Sequence, residues 1–263
     1  MTTHAEEIIA ALRSGHDDLA ALVRKLDPAD LQRPSGASEW QVSQVLSHLG
    51  SGAEIGLAAL TAGLTGAPRP DGDFNRQVWA RWDAMAPAQH ADGFLDANER
   101  LVEAYESLEP ATREQLRINL GFLPEPVDVA TTARFRLSEF ALHQWDVAVS
   151  AHPDAVVAPL SVPLLLGHVG SILGWIGKPE AYAGEPVTLA VRLRDPDQSH
   201  GLQLGDRVEL TDTPEHPDGE LTAPAEAWLR LVTGRLAPHH TPDSVRVTGP
   251  VSLDDLRRVF PGF

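Results

Sequence analysis

The stretch "SEFALHQWDVA", residues 138–148, sets Glu139 and His143 four positions apart in an apolar run. On a helix that spacing puts both side chains on one face, with Cβ atoms roughly 6 Å apart, which suits an ion pair or two ligands of one cation. Spacing alone does not choose, because Asp212 and His216 repeat it in a proline-rich loop where no helix would align them. A third donor is available in His48, beside Val45 on the flank of the apolar stripe in "VSQVLSHLG". Two imidazoles and one carboxylate with an open position suit zinc or a similar divalent ion. Asp146, three residues after His143, is spaced to hold that imidazole's other N–H. The competing reading makes His48 a hydrogen-bonded core histidine and pairs Glu139 with Arg136, three positions before it. Both readings stand on the residues alone.

Cysteine is absent, which removes disulfides, thiolate ligands and cysteine nucleophiles together. The chain of 263 residues carries a formal charge of −16, so neither nucleic acid nor an anionic membrane is an expected partner. The same field opposes anionic small substrates. A dicarboxylate would need guanidinium clamps, for which Arg81 in "VWARWDAM" and Arg230 or Arg235 in "AWLRLVTGR" are the candidates. The opening "MTTHAEEIIAALRSG" has no basic region ahead of an apolar core, so a cytoplasmic location is expected. Residues 158–177 carry no formal charge, but Pro159, Pro163, His168 and several glycines interrupt them. They read as a buried helix rather than a membrane span.

Four helical stretches are positioned to hold these residues. Ile8, Leu12, Leu19, Val23 and Leu26 share one face of residues 5–26, and His16 falls among them, making it a candidate contact for a cofactor or substrate. A second helix opens at "SEWQ", where Ser38 and Gln41 fit a capping box, and carries His48. A turn at "TGAPRPDGD" leads to a third helix around 88–108, and a fourth spans about 129–150. Helices joined by turns, with no convincing strand, predict an antiparallel bundle. Trp40, Trp79, Trp82 and Trp145 read as its core rather than as a ligand cage. Beyond it, "VTLAVRL", "RVEL" and "SVRVTG" read as strands, with an amphipathic helix in "APAEAWLRLVTGRL". The expected fold is thus α+β with two domains, a helical bundle over 1–157 and a smaller α+β domain over 158–263.

"ASEWQVSQVLSHLG" resembles the tryptophan-to-histidine signature of DinB-like helical bundles. "SEFALHQWDVA" is similar to the E-x-x-x-H-x-W-D-x-A segment of the mycothiol-dependent maleylpyruvate isomerase family, and "DGELTAPAEAWLRLVTGRL" and "VRVTGPVSLDDL" resemble its C-terminal domain. The resemblance implies that His48, Glu139 and His143 bind a divalent metal, usually zinc, and that mycothiol enters as the thiol cosubstrate. It implies one of two reactions on a small electrophile. In cis–trans isomerisation the thiolate adds to an activated double bond, the C–C bond rotates and elimination follows; in S-transfer the sulfur stays attached. It also implies an essential arginine in the C-terminal domain, for which Arg230 is the first choice. Two other classes remain open: a metal-assisted hydrolase that activates water, and a metal-binding or small-molecule-binding protein without turnover.

Overall fold

The computed structural model describes residues 4–262. They divide into two compact units, the first ending at Ala155 and the second starting at Val156. The first unit contains α1 (His4–Val23), α2 (Val42–Thr65), α3 (Gly72–Asp83), α4 (Pro87–Glu106), α5 (Pro110–Gln115) and α6 (Val129–Ala151). A small antiparallel ribbon of β1 (Arg117–Ile118) and β2 (Val127–Asp128) precedes α6. Helices α1 and α2 each pack on both α4 and α6, so the four long helices surround one core. Ile8, Leu12 and Leu19 of α1, Val45 and Leu49 of α2, Phe94 and Leu101 of α4, and Leu137 and Phe140 of α6 are all buried there. Each such aliphatic or aromatic side chain contributes about 1.5–3 kcal/mol through the water it sheds.

The local sequence explains where the site-bearing helices begin. Helix α6 starts where the Asp128 carboxylate accepts the Thr131 N–H at 2.7 Å, satisfying a donor that the first helical turn leaves open. Helix α2 starts later than the sequence motif suggests. Gln41, not Ser38, occupies the cap, and the Gln44 side chain accepts the Gln41 N–H at 2.8 Å. The reason is a turn just before it, in which Glu39 adopts φ 66°. The expectation of four helices also missed α3. Asp71 accepts the Phe74 N–H at 2.9 Å and begins this helix inside the stretch read as a turn, with Val78 and Trp82 buried one turn apart.

In the second unit α7 (Val162–Ile176) precedes β3 (Val187–Arg194), β4 (Gln198–Leu204), β5 (Val208–Thr211) and β6 (Gly219–Pro224). They are followed by α8 (Ala225–Val232), β7 (Arg246–Thr248) and α9 (Leu253–Val259). The strands form one five-stranded sheet in the order β5-β4-β3-β6-β7. Its β3–β6 pair is parallel, while the β3–β4, β4–β5 and β6–β7 pairs are antiparallel. Val191 of central β3 faces His200 on one side and Leu221 on the other. Helix α7 packs on α8 and β5. No described helix is long and apolar enough to cross a membrane.

Candidate metal centre

Helix α6 projects Glu139 and His143 from one face, and α2 brings His48 to them. His48 Nε2 lies 3.0 Å from Glu139 Oε2, and His143 Nε2 lies 3.9 Å from the same oxygen. One potential ligand atom from each of the three falls within 4.8 Å of the others. Zinc–ligand bonds of about 2.0–2.1 Å in a tetrahedron put neighbouring donors about 3.3 Å apart, so the observed separations bracket what such an ion needs. The donor set of two nitrogens and a carboxylate oxygen is chemically suited to it.

The surroundings prepare His143 for this role. Asp146, which is fully buried, accepts from His143 Nδ1 at 2.8 Å. With the proton held there, the Nε2 lone pair is directed to the cluster. The Trp40 ring stacks on His143 with centroids 5.8 Å apart and lies 5.3 Å from His48. Burial opposes ionisation of Glu139, but the His48 hydrogen bond and the nearby His143, His48 and Arg136 charges outweigh it and hold the carboxyl down at about 2. Glu139 is therefore anionic at neutral pH. The Arg136–Glu139 pair of the competing reading does not form as a direct contact. Arg136 instead donates to the Leu49 carbonyl at 2.8 Å and to Asn98 Oδ1 at 2.6 Å, and acts on Glu139 only through its charge.

The other sequence-selected residues lie in different settings. His16 is buried on α1, with Nε2 2.7 Å from Glu99 and Nδ1 2.9 Å from the Asn98 amide. Both ring nitrogens are engaged, so contact with a cosubstrate would require breaking one of these bonds. Arg81 is exposed on α3 and pairs with Glu54. Arg230 is 2% exposed on α8, where its guanidinium donates twice to Glu226 at 2.8 Å and once to the His240 carbonyl. Offering it to a substrate would mean exchanging Glu226 for the substrate's carboxylate. Arg235 donates to the Thr233 carbonyl at 3.0 Å and is also buried.

A cavity of about 430 Å³ adjoins His48, with walls from α2, α3, the start of α4 and Trp40. Trp79 and Trp82 line it, and Trp79 is 48% exposed rather than a core residue. The sequence reading missed this wall because it passed over α3. The signal was present in Val78 and Trp82, one turn apart behind the capping Asp71.

The fold and this cluster define a two-unit α+β protein whose helical bundle gathers a histidine–carboxylate site. The family model of the mycothiol maleylpyruvate isomerase N-terminal domain matches residues 12–148, more than half of the chain. The chain belongs to that family. Among solved structures it is similar to a mycothiol-dependent maleylpyruvate isomerase, with 17% identity and a TM-score of 0.67 over 96% of this chain and 98% of that one. A histidine-to-alanine mutant described as the same enzyme matches with 16% identity and the same TM-score and coverage. At this identity the likeness establishes the shared fold. Among curated proteins there is no significant match.

Proposed function

We propose that this protein is a metal-dependent enzyme that uses mycothiol as thiol cosubstrate, transferring its sulfur to a small electrophile or isomerising that electrophile from cis to trans. The observation that carries the reading is the convergence of His48, Glu139 and His143 with Asp146 behind His143, in a chain of the mycothiol maleylpyruvate isomerase family. A divalent cation, zinc by its donor set, would supply Lewis acidity that turns a coordinated thiol into a thiolate near neutral pH. His48 and His143 would hold it as neutral nitrogen donors, and Glu139 would contribute its negative charge. Asp146 keeps the proton on Nδ1 of His143, so that Nε2 stays a donor of electrons. The absence of cysteine fits a nucleophilic sulfur brought by the cosubstrate. A carboxylate on the electrophile would be met by Arg230 or Arg81, each exchanging its present acidic partner for the substrate. His16 would act at most indirectly, through Asn98 and Arg136.

The test is a turnover screen on purified protein of measured metal content, with and without mycothiol. Activity on maleylpyruvate or another small electrophile is expected only when the thiol is added. Undiminished turnover without any thiol overturns the reading in favour of a hydrolase, and no turnover in either arm favours a binding protein.

A further inference from the structure

We infer that Asn98 is a positioning residue for the metal centre: it retains the Arg136 guanidinium and so keeps the Glu139 carboxylate open to a cation. The inference rests on the reading of His48, Glu139 and His143 as metal ligands.

Arg136 and Glu139 stand three positions apart on α6, a spacing at which opposite charges ordinarily meet. Each already feels the other's charge. In a buried setting that attraction is stronger than in water, and a direct pair would occupy an oxygen that a metal needs. The hydrogen bonds of Arg136 show what holds it back. Its Nη2 donates at 2.6 Å to Asn98 Oδ1 and at 2.8 Å to the Leu49 carbonyl. Its Nε is buried and has no hydrogen-bond partner among the described residues. Burial pushes the guanidinium down to about 10, against the pull of Glu139 and Tyr105, so it remains charged at neutral pH. This cation is therefore short of acceptors, and Asn98 supplies one of the two that hold Nη2. Removing it leaves a charged donor unsatisfied, with the Glu139 carboxylate one helical turn away to take its place.

The amide of Asn98 is locked in the orientation this task requires. A guanidinium nitrogen only donates, so the Asn98 atom facing it is the oxygen. The NH2 group then faces His16 Nδ1 at 2.9 Å, and that nitrogen must accept. In the neutral ring Nε2 therefore carries the hydrogen, which it donates to Glu99 at 2.7 Å. Glu99 is gripped in turn by Arg13. Asn98 and Glu99 are neighbours on α4, and between them they engage both nitrogens of one buried imidazole of α1. One pattern of hydrogens satisfies every bond from Arg13 to Arg136. Turning the Asn98 amide around would set its NH2 against the guanidinium and its oxygen against the Nδ1 lone pair. Two bonds would become two repulsive contacts in a buried place, where neither group has water to turn to.

Zinc affinity of the full-length protein, measured by competition with a chromophoric chelator, tests the inference as a double-variant cycle. Thiol-dependent turnover is followed on the same preparations. Asn98→Ala should weaken zinc binding about tenfold on its own, and by no more than about twofold when added to Arg136→Met, because the competing cation is then gone. Asn98→Asp keeps an acceptor for Arg136 and should stay within about threefold of the wild type. An unchanged affinity in Asn98→Ala overturns the inference. So does a loss of equal size with and without Arg136, or one as large in Asn98→Asp, since either assigns Asn98 to packing. A second measurement needs no variant: nitrogen-15 spectra of His16 in the wild type at neutral pH report its tautomer. Hydrogen on Nε2 is expected, and hydrogen on Nδ1 turns the Asn98 amide around and overturns the inference. Full retention of zinc by Glu139→Ala defeats the metal reading and this inference together. The expected cycle without thiol-dependent turnover leaves the inference standing and defeats the function proposed above.

Discussion

Among the described residues, two groups of side chains in the helical bundle meet the same distance requirement for a shared cation: His48 with Glu139 and His143, and His16 with Asp17 and Glu99. Their neighbours set them apart. Arg13 grips Glu99 at 2.8 and 3.0 Å and reaches Glu106 at 2.9 Å, so the charge of Glu99 is already balanced by a resident guanidinium. That hydrogen bond from Arg13 holds the Glu99 carboxyl below its usual range. Both nitrogens of His16 are occupied, by Glu99 and by Asn98. At the other cluster Arg136, whose charge acts on Glu139, directs its hydrogen bonds to Leu49 and Asn98. Glu139 is left with histidines as its direct partners, and buried Asp146 orients one of them. The difference teaches that convergence of donors is not sufficient for a cation site. The carboxylate must also be free of a permanent positive partner, and an imidazole must have its electron pair directed inward.

The largest expected effect separates the clusters by metal content. Glu139→Ala or His48→Ala should lower divalent-metal affinity by about 100-fold or more, whereas Glu99→Ala should change it by no more than about twofold. Competition with a chromophoric chelator measures both. Equal losses would erase the distinction, and full retention in the first two variants would place the metal elsewhere.

A smaller effect is expected one step behind the ligands. Asp146→Ala removes the acceptor that fixes the proton on His143 Nδ1, and should weaken metal binding by about 10- to 100-fold. Its melting curve in the presence of a chelator reports any purely structural damage. A variant with wild-type metal affinity would show that the Asp146 contact serves packing alone.

The smallest signal is a change of slope with pH. Burial lowers the His16 pKa from its ordinary 6.5, against the opposing pull of Glu99. A folded value below the unfolded one means that the unfolded chain binds more protons in between. The stability tied to neutral His16 is thus complete above pH 6.5 and is lost as pH falls through that value towards the folded one. The depressed Glu99 carboxyl acts in a separate window, below its ordinary 4.5. His16→Gln should therefore flatten the pH dependence of the urea midpoint in weakly acidic solution. His200, also lowered by burial, leaves a residual slope from the second unit. An unchanged slope in His16→Gln would mean that this cluster is not held by a neutral buried imidazole.

Much of the first unit could be read along the chain, since helices declare themselves through spacing. The four-residue interval of Glu139 and His143, with Asp146 one turn further on, is a local property of α6. The stripe of Val42, Val45, Leu46 and Leu49 likewise marks α2. Helix α3 escaped notice because the glycines and prolines around residues 66–72 suggest a turn, and only Asp71 signals the helix start. Strands β4 and β6 were missed for a different reason. "QSHGLQL" and "GELTAP" alternate poorly and contain Gly201 and Pro224, so their pairing with β3 is what makes them strands.

The sequence by itself determined the chemical inventory: no cysteine, an acidic surface, and a carboxylate and imidazole on one helical face. It also carried the motifs that resemble one family. Only the tertiary structure decided which residues meet. His48 stands 91 positions from Glu139 and reaches it because α2 and α6 pack together. Arg136 lies closer in sequence but turns to Leu49 and Asn98, whose acceptors the bundle places within its reach. Helical periodicity is a short-range property written in neighbouring residues. Which two faces converge is set by packing of the whole core, and so is whether a carboxylate finds a guanidinium or an imidazole across it.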